Sequence, residues 1–353
     1  MRVLARRLPL TKRIPLTIHR GTSAATENVI VTVEHDGIRG DGEMAPNAVT
    51  GDTAEHTLAA IERWAQKLEP LGPWERQRIA GIVRDDPAAR DGIGGPGGTA
   101  AACALESACW DWLGKRAGLP VWRLLGIDRS RMAKTSVTVG INPPERAAEV
   151  ARDWIERTGS RCLKIKLGSP DGIDHDQAQY LAVRAAAGPG ARLRVDANGG
   201  WSADDARMMI AFLADHDCDY VEQPIAPGNE DILKSLRPSP IPIFLDESIH
   251  QAADIPKFAP WIDGVNTKLM KTGGIDEALR VLAVARACGL STMIGCMGES
   301  SLAIAAGAHI AASFDHVDLD SHLNLIADPW TGLEWSDGRV LPGVGPGLGV
   351  RSC

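Results

Sequence analysis

Five short apolar runs follow one another along the middle of this chain, and each carries charge near its C-terminal end. They are CLKIK with Lys164 and Lys166, LRVDAN with Asp196, DYVEQP with Glu222, IPIFLDES with Asp246, and GVNTKL with Lys268. The charges recur every 22 to 32 residues, roughly the pitch of one β/α unit in an eight-fold barrel, and helix-like stretches separate them. A parallel barrel brings the C-terminal ends of all its strands to one rim, so residues distant in sequence meet there. Three carboxylates then lie between two sets of lysines, an arrangement that suits a divalent metal with a base on either side of a bound substrate.

The flanking sequence extends this pattern. From Ser136 onward, SVTVGI, CLKIKL, RLRVDAN, DYVEQP, IPIFLDE, GVNTKL, STMIGC and HVDLD alternate with helical segments such as 145–158, 203–215, 230–236, 275–288 and 301–313. Eight strands with helices between most of them predict an α/β fold, a modified TIM barrel of (β/α)7β type over 126–325, with an open doubly wound sheet as the rival. The opening 1–125 reads as α+β: VIVTVE at 29–34 is a strand, HDGIRGDGE turns into a second, and two helices follow. The first helix runs from Thr53 to about Leu71 behind an Asp52 cap, and the second from Thr99 to Ala117. GIGGPGG at 92–98 is a loop, and the Gly- and Pro-rich tail is an irregular segment that packs back on the opening domain and completes it with 326–353.

Composition narrows the classes. A net charge of −7 argues against nucleic-acid binding, which needs a clustered basic face. No apolar stretch approaches the roughly 20 residues that cross a bilayer, and the apolar stretches of the basic start MRVLARRLPLTKR are too short for a signal-peptide core. A cytoplasmic location is therefore expected. The seven cysteines form an odd set without a C-x-x-C pair, so buried free thiols are expected rather than disulfides or a zinc cluster. Cys296 stands apart, because it ends a predicted barrel strand.

In Lys164-Ile165-Lys166 the lysines share one strand face. Their mutual repulsion, and a nearby metal, are expected to lower the pKa of at least one towards the range of a general base. Asp196, Glu222 and Asp246 end consecutive strands, and oxygen-only ligands of this kind suit Mg²⁺, one ion per subunit. Asn198 and Glu247 are candidates to brace those ligands or Lys268. Lys268 falls on the sixth strand, across the barrel from Lys166 on the second, while Lys271 is assigned to the following loop. Two lysines on opposite faces of a carbon acid fit a 1,1-proton transfer, with the metal stabilising the charge formed on deprotonation.

With K-x-K at 164–166, D-A-N at 196–198, E-Q-P at 222–224, D-E-S at 246–248 and K-L-x-K-T-G-G at 268–274, the chain resembles the enolase superfamily in its muconate-lactonising branch. That resemblance implies a Lys base working with Mg²⁺, which stabilises an ene-diolate. Asp318-Leu319-Asp320 matches the D-x-D motif of its dipeptide epimerases, where the i and i+2 carboxylates would hold a substrate ammonium group. The opening domain resembles the family's capping domain. Ile18-His19-Arg20-Gly21 and Thr50-Gly51-Asp52 would be its two closing loops, and Arg20 would meet a side-chain carboxylate of the substrate. Thr138, Cys296 and Met297 would be pocket wall.

The resemblance thus implies a Mg²⁺-dependent dipeptide epimerase of L-Ala-L-Glu and L-Ala-D-Glu, with a place in cell-wall peptide metabolism; family members are commonly homo-oligomers. Other reactions of the branch, o-succinylbenzoate synthesis, N-acylamino acid racemisation or cycloisomerisation, share the lysines and acids but offer no ammonium to Asp318 and Asp320. A mandelate-racemase-like reaction would put a His–Asp dyad in place of Lys268. A Schiff-base aldolase has no use for three metal carboxylates, and a non-catalytic metal- or dipeptide-binding barrel has no use for two opposed lysines.

Overall fold

The computed structural model describes residues 1–46, 50–86 and 98–353. The chain opens with a long antiparallel hairpin, β1 (Arg2–Ile18) and β2 (Gly21–His35), and β3 (Ile38–Met44) pairs with β2. β1 is not evident in the sequence because the exposed Arg2, Arg6, Arg7 and Arg13 interrupt its apolar pattern, leaving Val3, Leu8 and Leu10 as its buried positions. α1 (Ala54–Leu68), α2 (Arg76–Arg84), α3 (Thr99–Ala117) and the single turn α4 (Val121–Leu124) follow. The cap of α1 is Thr53 rather than Asp52: the Thr53 hydroxyl accepts the His56 backbone N–H at 3.2 Å, as an N-cap side chain does. Of GIGGPGG, all but Gly98 lies outside the described residues.

The barrel alternates β4 (Val137–Val139), α5 (Pro144–Thr158), β5 (Cys162–Lys166), α6 (Ile173–Ala187), β6 (Arg192–Asp196), α7 (Ala203–Ala214) and β7 (Cys218–Glu222). The fourth connection is a 3₁₀ stretch, Glu230–Leu236, where an α-helix was expected. Then come β8 (Ile243–Leu245), α8 (Ile255–Phe258), β9 (Gly264–Lys268), α9 (Leu269–Thr272), α10 (Ile275–Ala287), β10 (Ser291–Gly295), α11 (Ser301–Ala311) and β11 (His316–Asp318). The eight strands lie in sequence order, each parallel to the next. A bridge between Thr135 and Val317, with the Ser136 N–H on the Val317 carbonyl at 3.1 Å, joins the first strand to the eighth.

Period-two alternation divides the strands into two faces. Val137, Leu163, Ile165, Val195, Val221, Leu245 and Val265 point outward into one core with the helices. Tyr220, Phe244 and Met293 form a separate small cluster that plugs the interior. Gly264 is required there, because a Cβ on it would lie 2.3 Å from the Phe244 ring. One step further along the strands the inward positions carry charge. Register pairs Lys166 with Asp196, Asp196 with Glu222, Lys268 with Gly295, and Gly295 with Asp318, so these positions share one level at the rim.

The tail is more ordered than expected. β12 (Trp330–Thr331) pairs with β15 (Arg351–Ser352), and β13 (Glu334–Ser336) with β14 (Arg339–Leu341). It packs on α3 and its neighbours: Leu348 N–H donates to Asp111 Oδ1 at 2.8 Å, and Gly347 makes backbone hydrogen bonds with Leu119 and Val121. No helix among the described residues is long and apolar enough to cross a membrane.

Candidate active site

Asp196, Glu222 and Asp246, at most 1% exposed, each offer an oxygen, and these three atoms lie within 4.8 Å of one another. Three buried carboxylates this close repel strongly. Burial, and then the Asp196 charge, push Glu222 up to about 8. Its Oε1 accepts the Asn266 amide at 2.6 Å, while its Oε2 is buried and receives no hydrogen bond. An oxygen-only trio with an orphaned acceptor at its centre fits a small divalent cation such as Mg²⁺.

Lysines ring the acids. Lys166 Nζ donates to Asp196 Oδ2 at 2.5 Å, and Lys268 Nζ to Asp246 Oδ2 at 2.6 Å. Lys164 Nζ bonds Asp318 Oδ2 and stands 3.8 Å from both Asp196 and Glu222. Lys164, one of the two K-x-K lysines, is raised rather than lowered in pKa, and Lys268 is raised with it. Burial disfavours the ammonium form, but facing carboxylates outweigh it and hold both above the ordinary value. Carboxylates, not neighbouring lysines, dominate because each ammonium donates directly to a carboxylate oxygen. A cation among the acids would withdraw that support. Gly295 makes room for Lys268, since a Cβ there would lie 3.2 Å from Lys268 Cε.

Several bracing groups are not evident from the sequence. Lys271 is not in a loop: it lies in α9 and is buried, donates to the carbonyls of Asp246 and Asn266, and pairs with Asp246 Oδ1 at 2.5 Å. The Asp246 backbone N–H is held by Gln223 Oε1 at 3.0 Å. Asn266 shares the inward parity of Lys268, a signal present in GVNTK. Asn198 contacts Asp196 through its backbone N–H, which donates to Oδ1 at 2.8 Å, and its side chain donates to Glu247 Oε1 at 3.0 Å.

The remaining candidates divide. A cavity of about 550 Å³ is lined by Lys164, Lys166, Lys268, Asn198, Asp318, Asp320, Thr138, Cys296 and Met297, together with Leu16, Ile18, Arg20 and Ala25 of the opening hairpin. Asp320 accepts the Thr138 N–H at 2.7 Å, and burial, then Asp318, push its pKa up to about 6. Asp318 is engaged on both oxygens, by Lys164 and by the Ser136 hydroxyl at 2.5 Å. Arg20 lines the cavity, but its guanidinium is paired with the protein. Its guanidinium donates to Glu247 Oε1 at 2.8 Å and to the Asn198 carbonyl at 2.9 Å. Thr50 and Asp52 bond each other, and Asp52 accepts Thr99 Oγ at 3.3 Å; 47–49 lie outside the described residues.

A closed β/α barrel with a metal-binding acid trio between lysines defines a metal-assisted acid–base enzyme. Residues 2–126 match the mandelate racemase/muconate lactonizing enzyme N-terminal domain, and 146–352 match the enolase C-terminal domain-like family. The chain belongs to the enolase superfamily. It is 48% identical over 346 residues to a hydrophobic dipeptide epimerase of Roseobacter litoralis, covering 96% of each chain. A second hydrophobic dipeptide epimerase, from a Flavobacteria bacterium, is 45% identical over 354 residues, covering 99% of this chain and 98% of the relative. Among solved structures, a dipeptide epimerase of Enterococcus faecalis complexed with Mg and L-Leu-L-Tyr is similar with a TM-score of 0.89 at 33% identity, covering 100% of this chain and 99% of that one.

Binding of a cation by the trio should appear in stability. Saturating Mg²⁺, at about 100 times its Kd, should stabilise the protein by about 2.7 kcal/mol, read as a rise in Tm. The rise should vanish in Glu222→Gln. An equal rise in that variant would place the ion elsewhere.

Proposed function

We propose that this Mg²⁺-dependent dipeptide epimerase inverts the α-carbon of the C-terminal residue in dipeptides with apolar side chains. The observation that carries the reaction is the placement of Lys166 and Lys268 on β5 and β9, the second and sixth of eight strands and so opposite one another around the cavity. One lysine, as the free amine, takes the α-proton from one face. The other, as the ammonium, delivers a proton to the opposite face, so the configuration inverts with no net change in oxidation or composition. Mg²⁺, when bound, supplies the positive charge that makes a hydrogen beside a carboxylate acidic enough to be removed. Asp196, Glu222 and Asp246 would hold the ion, and Lys164, between the acids and Asp318, adds a fixed positive charge near the substrate carboxylate.

Asp318 and Asp320 would accept the substrate α-ammonium group, which fits a dipeptide and not an N-acylated amino acid. A capping unit of 1–125, completed by 326–353, would close over a barrel of 126–325. His19 Nδ1 lies 2.8 Å from the Gly168 carbonyl, and with the Arg20 contacts it ties the hairpin turn to the barrel. The side-chain preference departs from the Ala-Glu substrate expected from Arg20. That guanidinium is already paired with Glu247, and Leu16, Ile18, Ala25 and Met297 offer an apolar wall. Two relatives above 40% identity are named for hydrophobic dipeptides. A cytoplasmic location accords with seven free cysteines, since reducing compartments keep thiols unpaired.

In deuterated water with Mg²⁺, L-Leu-L-Tyr and L-Ala-L-Leu should gain deuterium at the C-terminal α-carbon, with kcat/KM at least about ten-fold above that for L-Ala-L-Glu. Exchange with no L,L-dipeptide would contradict the catalytic reading. Preference for L-Ala-L-Glu would contradict the apolar one. The carboxyl of Asp320 must be ionised to accept an ammonium group, and its raised pKa means that ionisation is lost as pH falls through about 6. KM should therefore rise below that pH and stay level above it, and Asp320→Asn should raise KM at every pH. An unchanged KM in that variant would remove Asp320 from substrate binding.

A further inference from the structure

Beneath the ring of rim charges lies a cation that the proposed proton transfer does not use. Arg194, two residues before Asp196 on β6, points into the barrel and is 2% exposed. Barrel interiors at this depth are packed with apolar side chains, and a buried guanidinium is costly unless it is fully paired. Arg194 is not. Its carboxylate neighbour within 4 Å, among the described residues, is Asp219, 3.8 Å from Nε, and Nε itself receives no partner. A methionine or leucine of similar volume would fill the space without that penalty.

What the guanidinium does reach is the closing seam of the barrel. One of its nitrogens donates to the Val317 carbonyl at 3.1 Å and to Ser136 Oγ at 3.4 Å; the other lies 3.4 Å from His316 Nδ1. Val317 precedes Asp318, and the Ser136 hydroxyl in turn donates to Asp318 Oδ1 at 2.5 Å. The seam is the least supported junction of the sheet: the start of the first strand meets β11 through the single bridge at Thr135–Val317, whereas every other pair of neighbouring strands shares two or more register pairs. Asp318 stands at the end of β11.

We infer that Ser136 and Arg194 are positioning residues for Asp318: the arginine spans the interior from β6 to anchor the seam, and the serine hydroxyl aims the carboxylate at the rim. Resting on the dipeptide reading above, this makes the pair determinants of amine recognition. They act from below the rim and do not touch substrate. Ser136, immediately before the first barrel strand, carries no motif, and Arg194 reads in sequence as one more strand residue.

The test compares a dipeptide with the same molecule lacking its amino group, L-Ala-L-Leu against N-propanoyl-L-leucine. In Ser136→Ala the KM for L-Ala-L-Leu should rise roughly ten-fold, the scale of one hydrogen bond to a charged group. The Ki of the des-amino analogue should stay within about two-fold, since it has no ammonium to place. Ser136→Thr, which keeps the hydroxyl, should restore KM. Arg194→Met should show the same split, and the Mg²⁺-induced rise in Tm serves as the check that its barrel is intact. If Arg194→Met does not fold, the serine pair decides alone. An unchanged KM in Ser136→Ala, or equal weakening of both ligands, would overturn the inference. Wild-type enzyme that exchanges no dipeptide would instead overturn the dipeptide reading itself.

Discussion

Three buried carboxylates within 4.8 Å of one another are the constraint around which the molecule is arranged. Alone they would repel, and burial would favour their neutral forms. Lysines from β5 and β9, an amide from Asn266 and the buried Lys271 turn that repulsion into a ring of alternating charge. A divalent cation held by the three acids would supply the same balance of charge. The barrel supplies this geometry through register: residues 30 and 22 positions apart, such as Lys166 with Asp196 and Asp246 with Lys268, come to one rim because each β/α unit advances by one strand.

Much of this is legible in the sequence because the signal is periodic and local. A charge at the end of an apolar run, repeated at the β/α pitch, locates strand, rim and inward face together. The trio and both opposed lysines follow from it. Lys271 reads as loop because a single turn such as α9 is too short for helical periodicity to register. β1 stays hidden because exposed arginines interrupt its few buried apolar positions. Arg194 and Ser136 lie one layer down, where only the assembled interior shows that β6 and the seam adjoin.

Arg20 shows the limit from the other direction. Its place in a capping loop suggests a substrate contact, but which carboxylate an arginine meets depends on which lies within its reach. Glu247, next to Asp246 of the acid trio, does, and its Oε1 also accepts Asn198. The hairpin turn is thereby fastened to the same side of the barrel that bears the acids. Barrel chemistry is readable from strand ends, whereas side-chain preference depends on contacts between segments that have no common periodicity.

The central claim is that two lysines serve opposite faces of one carbon, and stereospecific exchange in deuterated water tests it most directly. Lys166→Ala and Lys268→Ala, each given both epimers of one dipeptide, should lose epimerisation, and each should still exchange the α-proton of one epimer, a different one in each variant. Epimerisation near the wild-type rate in either variant, or exchange of the same epimer in both, would contradict the two-base account.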